Sequence, residues 1–195
     1  IMKPNRLIFI PIILIIFLLS NCTIPVATGV VTKAVTVSKS DISIGEFVDD
    51  TLIKAILKNA YFDLNEKIFF NVDVEVSQGR VLLTGTVENI DLRIEATRIA
   101  WGVKGVETVI NEIQVSNSDS ILDFADDLVI STKVLAKITL DETINSLNYN
   151  IETVNKIVYI IGISNSEKEK QKVINIARKV FGVEEVIDYI NIKSE

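Results

Sequence analysis

The chain has 195 residues, 48% of them apolar, and a formal charge of −6. That length suits one or two small domains, and an acidic chain with interspersed charges lacks the basic stripe of a nucleic-acid binder. Cys22 is the single cysteine and histidine is absent, which excludes an internal disulfide and, within one chain, a histidine-dependent triad or a His/Cys zinc site.

In chain order, Lys3 and Arg6 precede an apolar run from Leu7 to Leu19, followed by Ser20, Asn21 and Cys22. The run is too short to cross a bilayer comfortably. A basic start, a short apolar stretch and a small-residue exit predict a signal peptide over 1–21. Leu19-Ser20-Asn21-Cys22 resembles the end of a bacterial lipoprotein signal, in which the cysteine is lipidated. Asn21 departs from the smaller residue usual there. A plain signal peptide or an uncleaved anchor is the alternative. Thr23, rather than Asp, after the cysteine implies by the same resemblance an outer-membrane destination. Residues 22–46 show no clean period and read as a tether; Val30, Val31, Val35 and Val37 leave open a short strand.

From Phe47, apolar residues Leu52, Ile53, Ile56, Leu57 and Ala60 fall near helical spacing, predicting a helix over 48–60. Asp49 is placed to cap its start, and the acid pairs Asp49-Asp50 and Asp126-Asp127 read as helix caps. Val72, Val74 and Val76 alternate with polar residues and predict a half-buried strand. Gln78-Gly79 is a turn, and 80–86 is the second strand of a hairpin. Gly85 within it suggests a bulge or a close backbone approach. Asn89 caps a second helix over 91–101, whose apolar face starts at Ile90 and Ile94, with Leu92 left open, and continues through Ala96, Ile99 and Ala100. Trp101 closes that helix and is assigned to core or interdomain packing. Gly102 and Gly105 end it, and Val106, Val109, Ile113 and Val115 form a third strand.

The same order then returns. Asp49-Asp50 recurs as Asp126-Asp127, Ile53 as Ile130, Gly85 as Gly162 and Gly105-Val106 as Gly182-Val183, all at an offset of 77. Residues 49–115 and 126–192 are therefore two tandem copies of one unit, too long for a solenoid repeat. The second copy predicts elements over 126–137, 147–153, 157–163, 166–181 and 185–192. The expected fold class is α+β: two units, each helix–strand–strand–helix–strand, with a three-stranded mixed sheet covered by two helices. The domains expected are 47–116 and 126–193, joined by a linker over 117–125.

The hairpin glycine in Gly79-Arg80-Val81-Leu82-Leu83-Thr84-Gly85 and the ending Gly105-Val106-Glu107-Thr108-Val109 recur in the second unit. The second hairpin strand runs from Lys156 to Gly162, and Gly182-Val183 leads to Ile190. Together they resemble the BON domain, present twice. With the leader, the layout is similar to tandem-BON outer-membrane lipoproteins of the DolP type. The stretches 100–105, 111–113 and 127–134 are especially close. That resemblance implies a non-enzymatic protein without a cofactor, lipid-anchored at Cys22 on the periplasmic face of the outer membrane. It also implies binding of anionic phospholipid through the second BON domain and support of outer-membrane integrity. Carried over, the phospholipid-binding surface is the first helix of that domain, with Val129, Ile130, Lys133 and Lys137 as contacts. Val129 stands where relatives have an inserting tryptophan. Val129, Ile130, Val134 and Ile138 also suit a plain core face, and some of them must serve as one. The bases Lys168, Lys170, Lys172, Arg178 and Lys179 alternate with acids and read first as a solvated helix face. The alternative function is a protein-binding adaptor in envelope assembly or stress response.

Overall fold

The computed structural model describes residues 44–116 and 121–193. The expected signal peptide (1–21), Cys22 and its lipidation, the tether as far as 43 and linker residues 117–120 lie outside the described residues. The elements are α1 (Ile44–Leu64), α2 (Glu66–Asn71), β1 (Val72–Ser77), β2 (Arg80–Val87), α3 (Ile90–Trp101), β3 (Thr108–Asn111), β4 (Gln114–Val115), α4 (Ile121–Thr139), a 3-10 turn (Ser146–Asn148), β5 (Tyr149–Val154), β6 (Ile157–Ser164), α5 (Glu167–Arg178) and β7 (Glu185–Ile192). Among the described residues no helix is long and apolar enough to cross a membrane.

Each unit is a hairpin plus a strand returned through a helix. β1 pairs antiparallel with β2, and β3 and β4 both pair parallel with β2. In the second unit β5 pairs antiparallel with β6, and β6 parallel with β7. The third strand of the first unit is broken because the Asn111 side chain accepts the Ile113 N–H at 3.1 Å, an Asx turn that lifts the backbone off the ladder. Asp188 occupies the same place in the second unit, and β7 there runs unbroken.

Val81 and Leu83 of β2 face α1 and α3 in one core with Ile53, Leu57, Ala96 and Ile99. Val158 and Ile160 of β6 face α4 and α5 in a second core with Ile130, Val134, Ile138, Val173 and Ala177. The intervening strand residues point the other way, as a period of two requires. Leu82, Tyr159 and Ile161 meet there, flanked by Ile110, Ile187 and Tyr189, in a third core shared by the two units. The layers are thus helices, sheet, sheet, helices.

Residues in this shared core meet their own repeat partners. Leu82 lies with Tyr159 and Ile110 with Ile187, and the Tyr189 hydroxyl donates to the Glu112 carboxylate. A residue that touches its own counterpart lies at the axis relating two copies, so the units form an isologous pair within one chain. Arg80 Nη2 donating to the Tyr189 carbonyl at 2.9 Å and Asn150 Nδ2 donating to the Val76 carbonyl at 3.3 Å tie the rims.

Both hairpins turn through two left-handed residues, Gln78 (φ 53°) with Gly79 (φ 68°), and Asn155 (φ 51°) with Lys156 (φ 64°). Three of these are not glycine, which costs energy. The aspartates account for their retention. Asp50 accepts the N–H groups of Gln78 and Gly79 at 2.7 and 2.8 Å, and Asp127 those of Asn155 and Lys156 at 2.7 and 2.8 Å. This corrects the capping role assigned to the paired acids. The helices begin earlier, at Ile44 and Ile121, so Asp50 and Asp127 are buried mid-helix clamps on the hairpins. Gly85 and Gly162 do mark close approaches, since a Cβ on either would lie 2.1 Å from the carbonyl oxygen of Asn71 or Asn148.

Glu152 on β5 faces the first unit's sheet. Burial first, then the charges of Asp73 and Glu75, push its carboxyl up to about 7, against the opposing pull of the Thr153 N–H and Lys54. The folded chain therefore holds a proton that the unfolded chain releases near its usual value of 4.5. Stability from this group is highest below that value and falls as pH rises through about 7. We expect Glu152→Gln to raise stability by roughly 1–3 kcal/mol at pH 8 and to change it little at pH 4.5, measured by urea unfolding at both pH values.

Candidate lipid-facing surface

α4 carries two apolar faces. Asp127, Ile130, Val134 and Ile138, three or four residues apart, form the buried one. Leu128, Val129 and Leu135 project outward, and Leu140 follows the helix end with 82% of its surface exposed. Lys133 and Lys137 are exposed, one turn apart on this outer side.

Beside the helix, Gly182 (φ 98°) lies so close to Ile130 that a Cβ there would be 3.1 Å from Ile130 Cδ1. The neighbouring side chain, Phe181, is 92% exposed. The exposed residues on, after and beside α4 thus include three leucines, a valine, a phenylalanine and two lysines. In the first unit the positions of Lys133, Lys137 and Phe181 hold Ile56, Ala60 and Lys104, so this combination is particular to the second unit.

The end of α4 is pinned. Lys172 Nζ lies 2.6 Å from Asp141 Oδ2 and 2.8 Å from Thr143 Oγ1. The Lys172 contact, then those from Thr143, hold the Asp141 carboxyl down at about 2. Lys170 Nζ pairs with Asp188 at 2.7 Å and donates to the Ile190 carbonyl at 2.9 Å. Two of the five bases singled out on α5 thus secure the fold, while Lys168, Arg178 and Lys179 are exposed.

Of the expected contacts, Val129, Lys133 and Lys137 share the outer surface. Ile130 does not. It is 4% exposed and packs into the second core, so it is a framework residue rather than a lipid contact. Leu128, Leu135, Leu140 and Phe181, not among the expected contacts, are exposed as well. Their signal was present, because Leu128-Val129-Ile130 and Val134-Leu135 place apolar residues on both sides of one helix, more than one buried face requires. The helix α3 reading also needs correction. Asn89 caps it, accepting the Leu92 N–H at 3.0 Å, but Ile90 and Ile94 point outward and Trp101 is 54% exposed. Ala96, Ile99 and Ala100 do fill its buried face as expected, and Leu92 joins them.

The pattern of the BON domain matches residues 49–117 and 126–194. The chain belongs to the BON family. Its two units are BON1 and BON2. An uncharacterized protein in the gshII 5' region of Anaplasma centrale is 41% identical over 147 residues, covering 75% of this chain and 96% of that protein. The outer membrane lipoprotein DolP of Haemophilus influenzae is 31% identical over 144 residues, covering 73% of this chain and 74% of that protein. Osmotically-inducible protein Y of Escherichia coli is 30% identical over 145 residues, covering 73% and 72%.

BON2 gives a direct test of which side of α4 is framework. Ile130→Ala is expected to cost about 2–4 kcal/mol, as for other buried Ile truncations. Val129→Ala and Leu135→Ala are expected to cost less than about 1 kcal/mol. Urea unfolding of the three variants measures the difference.

Proposed function

We propose that the chain is a lipid-anchored protein on the periplasmic face of the outer membrane, that BON2 docks on anionic phospholipid through the outer surface of α4, and that its role is membrane integrity. The observation that carries this reading is the second apolar face of α4, bordered by Lys133 and Lys137 and standing clear of the BON2 core. The name of the Haemophilus relative, an outer membrane lipoprotein, supports the location.

Such a surface binds weakly alone. Each lysine near an anionic bilayer contributes about 1 kcal/mol, and a fully buried leucine about 1.5–3 kcal/mol. The net negative charge opposes approach, and salt screens it beyond about 10 Å. An anchor at Cys22 removes the need for tight binding, because a tethered domain meets the surface at high effective concentration.

We expect fragment 44–193 to co-sediment with phosphatidylglycerol vesicles at low salt, less at high salt, and not with phosphatidylcholine. Lys133→Glu with Lys137→Glu is expected to weaken binding about tenfold or more, two reversed charges at about 1 kcal/mol each being a lower bound. Absence of binding to phosphatidylglycerol, or a double variant that binds as well as the parent, would contradict the proposal and leave the adaptor reading with Cys22 as the sole membrane contact.

A further inference from the structure

α3 of BON1 carries a second, outward apolar stripe. Ile90, Ile94 and Trp101 are each more than half exposed and lie along one ridge, one turn apart and then two. The ridge is about 16 Å long at 1.5 Å per residue. It borders a groove of about 380 Å³ between α3 and Asn111 at the end of β3, lined also by Arg93, Thr97 and Arg98.

The fold does not require these residues to be apolar, and BON2 supplies the control. At the corresponding positions it carries Glu167, Gln171 and Arg178. The inward residues Ala96, Ile99 and Ala100 correspond instead to Val173, Ile176 and Ala177, all apolar. Packing therefore keeps three of the four inner positions apolar in both copies; the fourth, Leu92, becomes Glu169, whose carboxylate accepts from the Tyr149 hydroxyl at 2.8 Å. All three outer positions turn polar. An apolar ridge that the framework does not need marks an interaction surface.

The charge of the groove specifies its occupant. No acidic side chain lines it, although the chain as a whole is at −6. Arg93 is held along its wall by Nε and Nη2 donating at 3.2 Å each to the side-chain and main-chain oxygens of Asn111, with further guanidinium N–H groups to offer. Arg98 is 3.9 Å from Glu95 and largely exposed, a contact of little energy. Two guanidiniums beside an apolar floor suit aliphatic side chains flanked by carboxylates. A second copy docking symmetrically would set these arginines against themselves. A bilayer is the wrong side of the molecule. The two helix layers lie on opposite outer faces of the paired sheets, so when α4 meets lipid, α3 faces away from it. That last step rests on the lipid-docking reading of BON2, whereas the groove itself does not.

We propose that this groove of BON1 binds an apolar segment of a partner protein that carries acidic side chains, approached from the side opposite the membrane. A photo-crosslinking residue at position 94 of the full-length chain, in its own cells, tests this, with position 171 as the BON2 control and position 135 as the lipid reporter. The expected result is a discrete protein adduct from 94 and none from 171, with the crosslinked segment rich in Leu, Ile or Val and bearing Asp or Glu. Arg98→Glu should reduce its yield several-fold, and an acid-to-base change in that segment should restore it. Trp101→Arg should also abolish it, and BON2 already accommodates arginine there; unchanged circular dichroism would verify folding. A lipid adduct at 94, an adduct with a second copy, a segment without acidic residues, or no adduct would each overturn the proposal. Lipid adducts at 135 report separately on BON2, so failure of either reading is seen by itself.

Discussion

The contact on which the rest depends is sheet against sheet. A BON unit has helices on one face of its sheet only, so the other face is bare. Leu82, Ile110, Tyr159, Ile161 and Ile187 cover that bareness by meeting each other across the units. Each unit is too small to bury a generous core alone, and sharing a third core answers that limit. The consequence is geometric. Once the sheets are paired, both helix layers point outward, in opposite directions, and each presents its own surface.

The same contact explains an electrostatic strain. Glu75 and Glu152 are repeat partners, brought near the axis by the symmetry that pairs Leu82 with Tyr159. One consequence is a carboxyl at Glu152 raised by burial and by acidic neighbours. Lys54, 2.7 Å from Glu75, relieves part of it. In the second copy Ser131 replaces this lysine and donates to Thr153 instead, at 2.7 Å. A duplicated unit thus keeps its packing positions and resolves its charges differently on each side.

Much of the fold was legible in the sequence because packing writes a period. Alternating Val72, Val74 and Val76, the hairpin at Gln78-Gly79 and the constant offset between copies gave the strands, the turn and the tandem architecture. Gly85 and Gly162 announced their close backbone approaches. The aspartates misled, because a carboxylate near a helix start satisfies backbone N–H groups in the same way whether these belong to the helix or to a hairpin folded over it. The α3 surface was misassigned for a related reason. Ile90 and Ile94 have the spacing of a core face, and periodicity alone does not say which of two apolar stripes is buried. The second copy separates Ile90 and Ile94, where Glu167 and Gln171 stand, but would misplace buried Leu92, where Glu169 stands. On α4, Lys133 and Lys137 were named from the family resemblance and are exposed, whereas the division of exposed Val129 from buried Ile130 needed the helix to be set on its sheet.

On the proposed reading the chain meets lipid on one side and a partner protein on the other, and the single tryptophan reports which is which. Bound to phosphatidylglycerol vesicles containing lipids brominated along the acyl chain, fragment 44–193 should show Trp101 emission neither blue-shifted nor quenched. In the variant carrying Trp101→Phe and Val129→Trp, the emission should be quenched on binding. Quenching of Trp101 in the parent fragment, with none from position 129, would contradict the opposed arrangement of the two surfaces.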